Sequence, residues 1–141
     1  MSIPNPLVLT MTTVQGGSCP DAIAQQLADG NTFNVAFDTS QAPPSPGKDG
    51  LVFLETTPQN NFTAATRVQL SNEGLASALG FMSISSTQAQ IYGQQYTVNR
   101  IVLLGKPNGG GSFDWSGGVM IGSCVITSGV PNDELLSTLQ R

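Results

Sequence analysis

Residues 31–39 read NTFNVAFDT, with Phe33, Val35 and Phe37 at every second position. Successive side chains on a strand point to opposite faces, so this spacing gathers all three on one side of an extended segment, whereas a helix would scatter them. Runs of the same kind recur along the chain. Residues 7–14 alternate loosely and carry β-branched Thr and Val. Residues 51–57 (LVFLETT) read as a buried strand turning outward at Glu55, and 62–70 set Arg67 and Gln69 against Val68 and Leu70. Residues 82–91, 95–104 and 118–128 add further β-type runs. Between them stand turn formers. Residues 41–50, with Pro43, Pro44 and Pro46, can neither complete a ladder nor continue a helix, and predict an exposed loop. Gly93 and Gly109 to Gly111 mark hairpin connections.

Three stretches read as helical. In residues 20–28, Pro20 takes the first helical position, Asp21 lies near the positive end of the dipole, and Asp29-Gly30 ends the segment. In SNEGLASALGF (71–81), Ser71 or Asn72 caps a short helix that Gly80 stops. In 131–140, Asn132 or Asp133 caps a turn that places Leu135, Leu136 and Leu139 on one stripe, which needs a covering surface from its own chain or a neighbour. With about seven or eight short strands between frequent turns, the expected fold is an all-β sandwich or barrel, jelly-roll-like, with one or two short helices. At 141 residues it is expected to be one domain, with an N-terminal arm at 1–6 and a helical tail at 131–141.

Composition narrows the function. Charged residues make up 10% of the chain, against about 25% for an average soluble protein. Gln, Asn, Ser, Thr and Gly fill the difference, giving a weakly self-repelling surface suited to packing against neighbours. The five basic residues, Lys48, Arg67, Arg100, Lys106 and Arg141, are scattered, and the net charge is −4. Nucleic-acid binding needs clustered cations to neutralise phosphates, so no nucleic-acid partner is expected. The N-terminus lacks a basic, apolar leader and no run is long enough to span a bilayer, so the expectation is cytoplasmic synthesis with no membrane association. The sequon Asn61-Phe62-Thr63 is then a chance match. On the same grounds Cys19 and Cys124 are expected as free thiols, a disulfide becoming the better reading if the protein works outside a cell.

Chemistry is sparsely represented. The chain has no histidine, which removes Ser-His-Asp and Cys-His catalysis and histidine metal ligation. Cys19 precedes a helix start, the one thiol-activating feature available. Asp133 and Glu134 adjoin at the start of a predicted helix, where they complement its dipole. No calcium-loop pattern occurs. The glycine-rich LLGKPNGGGSFDWSGGVMIGSC (103–124) imitates a phosphate-binding loop, and Gly117 and Gly122 have the right spacing. Ser123 stands where the phosphate-reaching lysine is required, however, and Lys106 lies upstream beside rigid Pro107. The segment therefore reads as strand, flexible glycine connection and strand, with Trp115 as an anchor. No enzyme activity, cofactor or metal is expected. A carbohydrate- or receptor-binding module using Trp115, Tyr92 and Tyr96 is one alternative.

Low charge, absent histidine and abundant Gln, Asn, Thr and Gly, most visible in SISSTQAQIYGQQYTVNR and SFDWSGGVMIGSCVITSGVPNDELLSTLQR, resemble the small accessory proteins of tailed-bacteriophage virions. The resemblance implies a head decoration or cement protein, a symmetric oligomer in the virion whose partners are the major capsid protein or other virion subunits. Tail-tube and head-completion proteins are its competitors. Candidate contacts are Pro4 and Pro6 of the arm, Pro43 and Pro44 of the loop, Trp115, and the stripe Leu135, Leu136 and Leu139.

Overall fold

The computed structural model describes residues 7–37, 50–57, 66–74, 79–129 and 133–140. Pro4, Pro6, Pro43 and Pro44 lie outside them. In chain order the elements are β1 (Leu7–Met11), β2 (Thr13–Gly16), α1 (Asp21–Ala28), β3 (Phe33–Phe37), β4 (Gly50–Thr57), β5 (Thr66–Gly74) and β6 (Leu79–Ser83). There follow β7 (Thr87–Ile91), β8 (Gln94–Val98), β9 (Arg100–Pro107), β10 (Phe113–Ile121), β11 (Cys124–Thr127) and α2 (Asp133–Leu139). The protein is all-β with two short helices, as the alternating runs predict.

Nine strands form one antiparallel sheet in the order β1-β3-β4-β5-β6-β9-β10-β11-β2, and β7 and β8 form a separate hairpin. Most neighbours are consecutive in the chain, which makes the sheet a meander. Its two edges, β1 and β2, are also consecutive, with Thr12 alone between them. Met11 pairs with Phe33 on one side, Thr13 pairs with Thr127 on the other, and Thr12 N donates to Thr127 O at 3.0 Å. The sheet must therefore curl until its ends meet. The two edge strands do not pair with each other, so the hydrogen-bonded ladder is not closed into a barrel.

The curl encloses the main core. Leu7, Leu9 and Met11 from β1 meet Phe33 and Val35 from β3, Ile101 and Leu103 from β9, and Val119 and Ile121 from β10. Burying each large apolar side chain contributes about 1.5–3 kcal/mol. The β7–β8 hairpin adds Ala89, Ile91 and Val98, touching β4 through β7 and β10 through β8. Ile23 of α1 is fully buried in the same core. The helix starts at Asp21, so Pro20 is the residue flanking it and its carbonyl accepts the first-turn bond from Ala24 N at 2.9 Å.

Strand β9 is buried on both faces. Ile101 and Leu103 point into the main core, while Val102 and Leu104 form a second cluster with Val125 beneath α2. The stripe on α2 covers this second cluster, with Leu135 and Leu139 fully buried in it and Leu136 half-buried beside it. Gly118 of β10 makes the close approach feasible, because a Cβ there would stand 2.6 Å from Leu139 Cδ1.

The helix expected at 71–81 is not formed at its described positions. Residues 71–74 belong to β5, which pairs with β6 from Leu70↔Ser83 to Gly74↔Leu79, and Ser71 Oγ donates to Met82 O at 3.3 Å. Residues 75–78 lie outside the described part. A helix of two turns is marginal by its own propensity, and the cross-strand ladder outweighs it.

Candidate functional site

The glycine segment that imitates a phosphate loop is a hairpin. Strands β9 and β10 pair from Met120↔Arg100 to Phe113↔Pro107, leaving residues 108–112 as the connection, all of them exposed. Gly109 and Gly111 both have φ +83°, a left-handed conformation that glycine adopts without steric cost. The turn is braced by one residue. Asn108 N donates to Ser112 O at 3.1 Å, its Oδ1 accepts from Gly110 N at 3.0 Å, and its Nδ2 donates to Ser112 Oγ at 2.8 Å and Asp114 Oδ1 at 3.2 Å. The tip thus has a defined shape where composition alone predicts flexibility.

The other two phosphate-loop positions are structural. Gly117 is inside β10, where a Cβ would stand 2.5 Å from Leu9 Cδ1, and Gly122, at φ +60°, turns β10 into β11 with its N–H on Asn99 Oδ1 at 2.6 Å. Neither presents its backbone to a shared anion.

Trp115 anchors the base of the hairpin. It stands directly across from Gly105, and a Cβ on Gly105 would lie 2.9 Å from the indole Cη2 and Cζ3 atoms. The ring therefore covers a strand glycine and shields the ladder there, a pairing that restores packing a bare glycine lacks. Phe113, two residues earlier on the same face, tilts against it at 5.6 Å between centroids. Trp115 is half-buried, packed on the main core.

Trp115, Tyr92 and Tyr96, the residues of the alternative carbohydrate- or receptor-binding reading, do not stack together. Tyr92 meets Phe33 edge to face at 5.7 Å, and Tyr96 donates its hydroxyl to Gln94 Oε1 at 3.0 Å. Tyr92 and Gly93 form the two-residue turn between β7 and β8, with φ +52° and +78°. Positive φ at both positions matches the twist of a hairpin but is costly for a residue with a large side chain. Packing of the ring against Phe33 and the core offsets that cost. The Tyr92 hydroxyl is buried with no hydrogen-bond partner, and burial raises its pKa above the ordinary phenol value.

The cysteines are bonded, which corrects the expectation of free thiols and removes Cys19 as a reactive group. Cys19 and Cys124 form a disulfide with Cα atoms 4.6 Å apart across a sequence separation of 105. The surrounding backbone explains it. The tetrapeptides Gly16-Gly17-Ser18-Cys19 and Ile121-Gly122-Ser123-Cys124 lie against each other where β2 meets β11. Gly17, at φ +82°, sits so close to Ser123 that a Cβ would fall 1.7 Å from its carbonyl oxygen, and Ser18 N donates to Ser123 Oγ at 2.9 Å. The repeated G-S-C is the sequence trace of this clasp.

The leucine stripe likewise needs correction as a partner surface. Leu135 and Leu139 are at 1% and 0% exposure beneath α2, so they serve the protein's own second core, and only Leu136 stays partly accessible. Trp115 and Leu136 are thus the described candidate contacts with some exposed area. Sequence reading overlooked Asn108, which organises the hairpin tip. The signal was the dipeptide Asn108-Gly109, a strong hairpin-turn pair. Among the described residues no group of three or more Cys, Asp or Glu is placed to hold a metal ion.

These features define a disulfide-clasped β scaffold that presents one long, braced hairpin. No protein-family model, curated protein or solved structure matches the chain.

Proposed function

We propose that this chain is a structural protein of a tailed-phage virion that seats on the outside of the capsid shell and holds neighbouring subunits together. The observation that carries the reading is the 108–112 hairpin tip, exposed throughout yet fixed by the four hydrogen bonds of Asn108. A contact element that is already ordered loses little conformational entropy on docking, so more of its interaction energy appears as affinity. Its uncharged glycine, amide and hydroxyl groups suit hydrogen bonding to another backbone. The disulfide fits a particle that works outside a reducing cell. The bound protein stabilises the shell by linkage, because its site exists only in the assembled lattice.

The test is cosedimentation with undecorated shells assembled from the capsid protein encoded beside it. The protein should pellet with shells and raise their melting temperature. Deleting Gly110 to Ser112 leaves Asn108-Gly109 as a two-residue turn between Pro107 and Phe113, a connection hairpins favour. That variant should keep its own melting temperature while losing most shell binding. A wild-type protein that stays in the supernatant overturns the reading.

A further inference from the structure

We propose that Asn108 is a self-modification site, converting spontaneously to aspartate or isoaspartate and thereby changing the charge and shape of the hairpin tip. Asn108 is the one asparagine in the chain followed by glycine. The backbone nitrogen of Gly109 carries no neighbouring side chain to shield it, and nothing lies within 4 Å of where a Cβ would be. Both residues are exposed, so hydroxide and water reach them. Among the described residues no hydrogen bond engages Gly109 N–H. At Asp29-Gly30, by contrast, Gly30 N is committed to Leu27 O at 3.1 Å.

The reaction balances without an external oxidant or reductant. Gly109 N loses its proton to hydroxide and attacks Asn108 Cγ, forming a five-membered succinimide. The Cγ–Nδ2 bond breaks, and the nitrogen takes one proton from water, regenerating hydroxide, and leaves as ammonia. One water then opens the ring at either carbonyl, giving aspartate or isoaspartate. Gly110 N–H, 3.0 Å from Oδ1, stabilises the negative charge that develops on this oxygen during the attack.

The product no longer fits its surroundings. Nδ2 donates to Asp114 Oδ1 at 3.2 Å, and conversion replaces that donor with a carboxylate oxygen facing another carboxylate. Two like charges at such a distance repel. Isoaspartate also inserts a methylene into the backbone, which spoils the Asn108 N to Ser112 O closure. The hairpin tip thereby opens in one irreversible step, independently of what the hairpin binds.

Peptide mapping by mass spectrometry, after incubating the intact, disulfide-bonded protein over a series of mildly alkaline buffers, tests this directly. The peptide containing Asn108 should gain the mass of an amide-to-acid exchange and accept methyl groups from an isoaspartyl methyltransferase. Its rate should rise with pH, and Gly109→Ala should slow it severalfold. The proposal fails if Asn108 keeps its amide while other asparagines convert, or if Gly109→Ala, folded by circular dichroism, converts as fast as wild type. Asn108→Asp supplies the product charge directly and should exchange its 108–112 amides faster. Unchanged exchange in that variant overturns the claimed opening of the tip.

Discussion

Reducing the Cys19–Cys124 bond should lower stability by about 4 to 5 kcal/mol without unfolding the protein. The bond spans 105 residues, and in the chain-entropy account a cross-link closing a loop of about 100 residues removes unfolded-state freedom worth about 4.7 kcal/mol at 25 °C. A domain of this length has a total stability on the order of 7–20 kcal/mol at about 0.05–0.15 kcal/mol per residue, so the loss is a large fraction of the whole. The fold should nonetheless persist. The β2–β11 ladder, the Gly17 contact and the Ser18 N to Ser123 Oγ bond hold the two sulfurs together whether or not they are joined. Urea titrations of the oxidised protein and of protein reduced and kept under thiol are the assay, with far-ultraviolet circular dichroism as the readout. The reduced protein should unfold at lower urea with a steeper slope, because an unfolded chain without its cross-link exposes more surface. Reduction is preferable to Cys124→Ala, which would also leave a small cavity at a fully buried position. Coincident midpoints, with both thiols verified by titration, would refute the entropic reasoning. A reduced chain that is unfolded in the absence of urea would refute the claim that the ladder positions the sulfurs.

Tyr92→Phe removes a buried hydroxyl that has no partner while keeping the ring against Phe33, and should raise stability by about 1 kcal/mol in denaturant titration. The same variant tests the alkaline limb. Because burial raises the Tyr92 pKa, ionising the phenol is harder in the fold than in the unfolded chain, so this group leaves stability unchanged below about pH 10 and lowers it as pH climbs through the folded-state value. Phenylalanine should flatten this fall, and an unchanged alkaline profile would assign it to other groups. Gly105→Ala should displace the indole of Trp115, costing about 1–3 kcal/mol and shifting the fluorescence of the chain's one tryptophan to the red. Unaltered emission would mean that the ring does not rest on Gly105.

The legible parts of this fold are those governed by period and punctuation. Phe33, Val35 and Phe37 declared β3 because side chains alternate along a strand, and Gly93 and Gly109 to Gly111 declared hairpins, in which Gly93, Gly109 and Gly111 take positive φ. The run Ile101 to Leu104 also carried information, since an unbroken apolar tetrad signals burial on both faces. The stripe was visible while its partner was not, because nothing local records which strand lies beneath a helix. Ser71 to Gly74 misled for the opposite reason. Their local preference is weakly helical, and the β5–β6 ladder that overrides it is set by pairing. The disulfide was the least accessible feature, as it depends on β2 and β11 becoming neighbours across almost the full chain. Of the candidate site, Trp115 was evident from its rarity, whereas Asn108 is one amide among many until its bonds are seen.

The single-residue link at Thr12 also sets an order of events during synthesis. The segment from Leu7 to Gly16 is made before the other described strands, yet its second half pairs with β11, the last of them. Until Thr127 has emerged, the edge carrying Val14 stays unsatisfied, so the nascent chain holds an open strand while β3 to β10 are made. Contacts of such long sequence range form slowly. Completion of the sheet therefore waits for β11, and premature termination anywhere before it leaves β2 with nothing to close against.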